Sequence, residues 1–386
     1  MREVDEAEMG NTLDTPNTHK ETRVGVVVDN NDTVDNELHF GVSVMQGWRI
    51  DMEDAHICET HILPHHSLFA VLDGHGGTLA ANYVSQNLTR ILQSQRHFLE
   101  YAKQIETKNN GNKSNNKTKN QKILTKKEQT EYCQLLKSAL QYSFMELDRE
   151  ILQTMMIGST SNVTAPNMLD LNEAGTTAVV VLITPHWILC ANAGDSRAIL
   201  CQRNKTIVSL SVDHKPDLEI EEQRIVRMGG VVHSGQVDGL LSVSRALGDF
   251  QFKDRNAIML QPVQEGHSSS LEDLVVMLEV AKEQKVTCVP DVLCQNRTFN
   301  TDQFIVIACD GVWDVVTNNE CLDIVKTLQA EGESNLGLIC EELLDICLKK
   351  GSRDNMSVIV IQFPGQTTGQ GGGVMKRRAQ RARLVG

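Results

Sequence analysis

No apolar run in the 386-residue chain approaches the length needed to cross a membrane. No apolar leader opens it either. The start, Met1-Arg2-Glu3-Val4-Asp5-Glu6, is acidic, so no secretory signal is expected. C-x-x-C pairs are missing, as is any Cys/His cluster at zinc spacing. The ten cysteines therefore read as reduced, mostly core residues of an intracellular protein, cytoplasmic and/or nuclear. Positive charge is in deficit: the formal net charge is -13. That argues against a nucleic-acid partner, which needs a basic field over the binding face. There is no G-x-x-x-x-G-K-[ST] loop for a nucleotide phosphate and no G-x-S-x-G elbow for a serine hydrolase. A cysteine-based phosphatase fares poorly at Cys190, which precedes Arg197 by one residue too many and lies in an apolar run. No internal repeat is apparent.

What is present belongs to a globular protein. A hydrophobic fraction of 40% and a charged fraction of 23% are ordinary for one, and the length suits one large domain or two smaller ones. The chain is organised around Phe69-Ala70-Val71-Leu72-Asp73-Gly74-His75-Gly76-Gly77. Leu68 to Leu72 reads as a buried strand, and Thr78 to Ser94 as an amphipathic helix. Asp73 and His75 then sit at a strand-to-helix corner. Asp-Gly is also a favoured hairpin turn, but a helix on the far side argues against a hairpin.

Residues 1 to 37 are polar and aperiodic, which suggests an extended arm. A second start at Met9 would expose Gly10 to acylation and give peripheral membrane contact, although Asp14 stands where Ser or Thr is expected. His39 to Met45 reads as a strand. It feeds Gly47-Trp48-Arg49-Ile50-Asp51-Met52-Glu53-Asp54-Ala55-His56, where charge is dense. Residues 103 to 127 form a Lys/Asn-rich insert with no means of burying a core, so a disordered loop is expected. Glu131 to Met155 resumes as a helix. Strands are expected at Thr176 to Ile183, Trp187 to Ala193, Ala198 to Cys201 and Ile207 to Leu210. A charged helix, Leu218 to Met228, closes on Gly229-Gly230. Val231 to Val243 reads as an irregular flap. Lys253 to Lys285 is a second insert with a helix at Leu271 to Ala281. Phe304 to Cys309 is another buried strand ending in Asp310-Gly311. Two helices, Asn318 to Leu328 and Ser334 to Lys349, precede a last strand, Ser357 to Phe363. The Gly-rich, then basic, end reads as a solvated tail, with acidic-partner or import contacts as the lesser alternative. Hairpin-like strand clusters with interspersed helix pairs indicate an α+β fold with antiparallel sheets.

Two strands thus end in Asp-Gly, at Asp73 and Asp310. Asp354 stands just before a strand and Glu53 just after one. If these ends converge, four carboxylates face each other, and like charges at close range need compensation. All-oxygen ligands without a thiolate favour Mg²⁺ or Mn²⁺ over Zn²⁺. A pair of such ions would acidify a water and aim it at phosphorus. Arg49 is a candidate phosphate clamp through its planar fork. His75 is a candidate proton donor to the leaving alkoxide.

With these motifs in place, the chain resembles the PP2C (PPM) family of metal-dependent protein serine/threonine phosphatases from about residue 38 to 363. The resemblance rests on Met45 to His56, Phe69 to His75, Gly175-Thr176-Thr177-Ala178 and Ala193-Gly194-Asp195-Ser196-Arg197. It continues through Asp213-His214-Lys215-Pro216, Ser242 to Asp249, Ala308 to Val315 and Gly351 to Val358. It implies a four-layer αββα sandwich: two packed antiparallel sheets flanked by helices, with a metal centre at one end. The phosphatase domain would span 38–365 and the tail 366–386. By the same resemblance Asp73 would bridge two metal ions. Asp310 and Asp354 would complete one, and Glu53 and the Gly74 carbonyl the other. Asp195 with Asp310 would hold a third, weaker ion. Arg49 would bind the substrate phosphate, His75 would be the general acid, and 214–240 would form a flap. Hydrolysis of phosphoserine and phosphothreonine by a hydroxide bridging the ions, without a phosphoenzyme, would follow. Phosphoprotein substrates and a monomer are expected. The inserts, and Ser234-Gly235-Gln236 where some relatives place an Arg, depart from the pattern. The rivals are a pseudophosphatase that only binds phosphoproteins and a two-metal nuclease; the charge of -13 disfavours the nuclease.

Overall fold

The computed structural model describes residues 12–27, 38–111, 124–158, 173–259, 271–364 and 368–385. Two antiparallel sheets form the centre. The first contains β1 (Thr12–Val27), β2 (Leu38–Arg49), β9 (Arg197–Gln202), β10 (Ile207–Ser209), β15 (Asp302–Ala308) and β16 (Met356–Gln362), in the order β1-β2-β16-β15-β9-β10. The second contains β3 (Ala55–Leu63), β4 (His66–Leu72), β7 (Ala178–Ile183), β8 (Trp187–Ala193) and β14 (Asp291–Asn296), in the order β14-β8-β7-β4-β3. Three short strands, β5 (Gly74–His75), β6 (Gly175–Thr176) and β13 (Leu247–Gly248), make a small third sheet with β6 in the middle. A two-residue hairpin, β11 (Val232–His233) with β12 (Gln236–Val237), lies in the flap.

The apolar runs explain the layering. Strand residues point alternately to opposite faces. In β4, Phe69 and Val71 join the core between the sheets, while Leu68, Ala70 and Leu72 face the helices α1 (Leu79–Ser94), α2 (Arg96–Gly111) and α3 (Lys126–Gly158). In β15, Ile305 and Ile307 point between the sheets, and Phe304, Val306 and Ala308 point outward. The outward set packs on later helices, α8 (Asn318–Ala330) and α9 (Leu336–Lys349). Strands covered on both faces must be apolar at every position, which is why these runs were legible. The expected αββα sandwich is the observed architecture. The remaining helices are α4 (Glu219–Arg227), α5 (Arg255–Met259), α6 (Leu271–Lys282), α7 (Asp310–Trp313) and α10 (Gly373–Val385).

Several expectations need correction. Part of the supposed arm is a 16-residue edge strand, β1, that pairs antiparallel with β2. Met9 and Gly10 lie outside the described residues. The Lys/Asn-rich insert begins inside α2, which runs to Gly111, and ends in α3; residues 112–123 lie outside the described residues. The tail is not a solvated coil. Its α10 buries Val374 and pairs Arg377 with Glu331 and Arg381 with the fully buried Glu342. Strands β3 and β14 carry no strong alternation and escaped the sequence reading. Cys133 on α3 and Cys294 on β14 also meet, with Cα atoms 6.6 Å apart.

Candidate metal centre and active-site cavity

The carboxylates meet where strands of both sheets end. Asp73 follows β4, Asp195 follows β8, and Asp310 opens α7 directly after β15. Oxygen atoms of these three lie within 4.8 Å of one another. Glu53, Asp354, Arg49, His75 and Gly74 line the same cavity, about 430 Å³ in volume, together with Leu240 and Leu241 of the flap. Every residue singled out for the site is therefore brought to one place.

Asn355 organises the approach to it. Its side-chain amide donates to the carbonyls of Gln46 at 2.8 Å and Asp51 at 2.9 Å, and its oxygen accepts from the Glu53 amide at 2.9 Å. The corner that carries Arg49 and Glu53 is thus stapled to the segment that carries Asp354. Glu53 in turn accepts from the Gly77 amide at 2.8 Å. The two glycines after aspartate serve close approach. A Cβ on Gly74 would lie 2.3 Å from the Glu53 carbonyl oxygen, and one on Gly311 would lie 2.1 Å from that of Asn355. Neither fits. The backbone carbonyl of Asp73 is held by the Thr177 amide at 2.9 Å and the Thr176 hydroxyl at 3.1 Å.

The electrostatics of the cluster are unfavourable without a cation. Burial, then the neighbouring Asp310 and Asp54, push Asp73 well above the ordinary carboxylate range. Burial, then Asp195 and Asp354, do the same to Asp310. Burial raises Glu53 too, against the Gly77 amide. Asp54, read from sequence as part of a charged stretch, turns inward. It accepts from Ser357 at 2.7 Å, and burial, opposed by that bond, lifts it to about 7. Its other oxygen is buried with no partner, and it lies within 4.8 Å of ligand atoms of Asp73 and Cys309. Clustered, buried and partly orphaned oxygens fit divalent cations, which supply the missing positive charge.

Three cations of the chain already approach this cluster. The Arg49 guanidinium donates to Asp354 at 2.7 Å. The Lys215 ammonium pairs with Asp195. His75 donates from Nε2 to both oxygens of Asp249, at 2.8 and 2.9 Å. Burial pulls the His75 imidazole down, but Asp249 outweighs it and holds the ring above its ordinary value. Thiol chemistry is unsupported. Burial and the adjacent carboxylates push Cys309 far up. One Cys-x5-Arg spacing does exist, from Cys347 to Arg353, and the sequence reading missed it. Cys347 is buried on α9 with its thiol pushed up to about 12, so it is not the nucleophile of a phosphate loop.

The sequence model of the family described as protein phosphatase 2C matches residues 38–356. The chain belongs to the protein phosphatase 2C family. Protein phosphatase ppm-1.A of Caenorhabditis elegans is 36% identical over 367 residues, covering 94% of this chain and 65% of that protein. Protein phosphatase 1A of Homo sapiens is 34% identical over 359 residues, covering 92% of this chain and 76% of that protein. The chain thus spans about two thirds of the nematode relative's length, at 65%. Among solved structures, serine-threonine phosphatase 2C from Toxoplasma gondii superposes with a TM-score of 0.64 at 19% identity, covering 89% of this chain and 99% of that one. That likeness concerns the fold. A second phosphatase from Toxoplasma gondii gives 0.61 at 20% identity, covering 90% and 96%. The matched PP2C span begins at β2, and β1 and α10 lie outside it. Asp54, Lys215, Asp249 and Asn355 went unassigned in the sequence. Their signal was position within the PP2C motifs, without any local chemical pattern.

Proposed function

We propose that the chain is a metal-dependent protein serine/threonine phosphatase. One observation carries the reading. Three carboxylates from separate segments, the buried Asp195 and the half-buried Asp73 and Asp310, converge in a cavity that Arg49 and His75 also line. Asp73, Asp310 and Asp354 would hold one Mg²⁺ or Mn²⁺. Asp73, Glu53 and the Gly74 carbonyl would hold another, and Asp195 with Asp310 a third, weaker one. When bound, such ions supply the acidity of a water nucleophile and offset the charge of the phosphoryl group.

The chain's own groups do the rest. Arg49, which lines the cavity, binds phosphate oxygens through its planar guanidinium fork. His75 holds a proton beside Asp249 and delivers it to the serine or threonine oxygen as the ester bond breaks. Water attacks phosphorus directly, without a phosphoenzyme. Phosphoproteins are the substrates, and the flap at Leu240 and Leu241 borders the place they enter.

Hydrolysis of a phosphoserine peptide should require Mn²⁺ or Mg²⁺, stop with EDTA, and be lost in Asp310→Ala. His75→Gln should slow turnover about 100-fold with metal affinity intact. Phosphopeptide binding without metal-dependent turnover in the parent chain would identify a phosphoprotein-binding module instead. A large fall in metal affinity in His75→Gln would count against its role as proton donor.

A further inference from the structure

Asp249 ends the stretch Ser242 to Asp249 and has so far appeared only as the carboxylate beside His75. It is 1% exposed, yet it borders the cavity and spends both carboxylate oxygens on one atom, Nε2 of His75. The small three-stranded sheet sets this meeting. β5 carries His75 on one side of β6, and β13 ends one residue before Asp249 on the other. Between them Gly175 leaves the gap. A Cβ there would lie 2.2 Å from Asp249 Oδ2 and 2.4 Å from His75 Nε2.

Asp249 is also held from behind. Its backbone is left-handed, with φ 52°, and its amide donates to the Ala174 carbonyl at 3.1 Å. The Gly248 amide donates to Asp148 Oδ1 at 2.8 Å, and the buried Lys253 ammonium donates to the same oxygen at 2.8 Å. A non-glycine residue at positive φ, buried and braced by a buried ion pair, points to a position fixed for its side chain.

We propose that Asp249 is a positioning residue for the phosphatase reaction: it grips His75 by Nε2 and so makes Nδ1 the atom that hands over the proton. A carboxylate only accepts hydrogen bonds, so the bond requires the proton on Nε2. The ring has one other nitrogen, and only that one is left to serve the substrate. In the step, the bond from phosphorus to the ester oxygen breaks, that oxygen takes the Nδ1 proton, and serine leaves as its hydroxyl. The ring remains neutral with its proton on Nε2. The attacking water forms the new bond to phosphorus and releases a proton to solvent, from which Nδ1 is recharged. Net, one water is consumed, and an alcohol and phosphate are released. This rests on the phosphatase reading of the cavity.

The test compares Asp249→Ala and Asp249→Asn with the parent, using a phosphoserine peptide and p-nitrophenyl phosphate. Asn accepts the same bond through its oxygen and tolerates left-handed backbone. The Ala variant should lose about 100-fold in kcat on the peptide, with KM and Mn²⁺ affinity unchanged. It should lose less than about threefold on the aryl ester, whose phenolate leaves without a proton. Asn should recover much of the loss. Equal losses on both substrates, a parallel fall in Mn²⁺ affinity, or unchanged peptide turnover would overturn the proposal. Proton NMR of ¹⁵N-histidine-labelled chain reads the grip without turnover. The hydrogen-bonded Nε2 proton should be present in the parent and absent in Asp249→Ala. Its absence from the parent overturns the proposal, whereas its presence in a parent that hydrolyses neither substrate sinks the phosphatase reading.

Discussion

Replacing Asp54 with asparagine measures how badly the carboxylate cluster needs a counter-charge. The substitution removes one ionisable group and keeps the side chain's size. Burial, partly opposed by Ser357, lifts Asp54 to about 7 from an ordinary 3.8. A raised folded-state pKa means that the folded chain holds the proton more tightly than the unfolded chain does. The resulting stability is fully present below about pH 4 and is lost as pH rises through about 7. The whole swing, about three pH units, is about 4 kcal/mol at 1.36 kcal/mol per unit. Between pH 5 and pH 8 it amounts to roughly 2.5 kcal/mol. Urea unfolding of EDTA-treated parent and Asp54→Asn across this range reads the titration of Asp54 together with its coupling to Asp73, which Asp54 also pushes up. The parent's stability relative to the variant should fall by roughly 2.5 kcal/mol from pH 5 to pH 8. Saturating Mn²⁺, which binds the folded chain, should flatten the fall. A difference that stays level or grows with pH in EDTA would refute the claim that Asp54 is buried among uncompensated carboxylates.

Two further predictions concern buried carboxylates paired with a single cation each. Lys253→Met leaves Asp148 buried without its ammonium, and should cost about 3–5 kcal/mol in urea unfolding; a cost below about 1 kcal/mol would show that the pair does not brace the turn before Asp249. Arg381→Ala removes the partner of fully buried Glu342 and should lower stability by about 2 kcal/mol, whereas no change would mean that α10 is not docked in solution.

Much of the fold was legible because burial on two faces leaves a plain trace. Leu68 to Leu72, Phe304 to Cys309 and Ser357 to Phe363 are apolar at nearly every position, and all lie in central strands. β1 was not legible. As an edge strand it is mostly exposed, and its polar sequence looks like any solvated segment. The basic tail misled for a related reason. Its charges are satisfied by acidic groups just past α8 and on α9 that are distant in sequence, and a local window contains none of them. At the site, the Asp-Gly endings after apolar runs pointed to Asp73 and Asp310, which the folded chain brings together. Glycine there meets a need for close backbone approach, which only the folded chain reveals.

The sequence by itself determined the central, doubly covered strands, that carboxylates stand at their ends, and, through its motifs, the PP2C family. Those features are local, set by side-chain periodicity and the residue types that follow each run. Only the tertiary structure decided the partners. It turned Asp54 inward, set Lys215 on Asp195, stapled Glu53 through Asn355, and placed Asp249 against His75 across 174 residues of chain. Pairing between distant segments depends on which strand ends the two sheets bring together. No short stretch of sequence encodes that, because the energy resides in the burial and charge of groups that meet only once the sheets have packed.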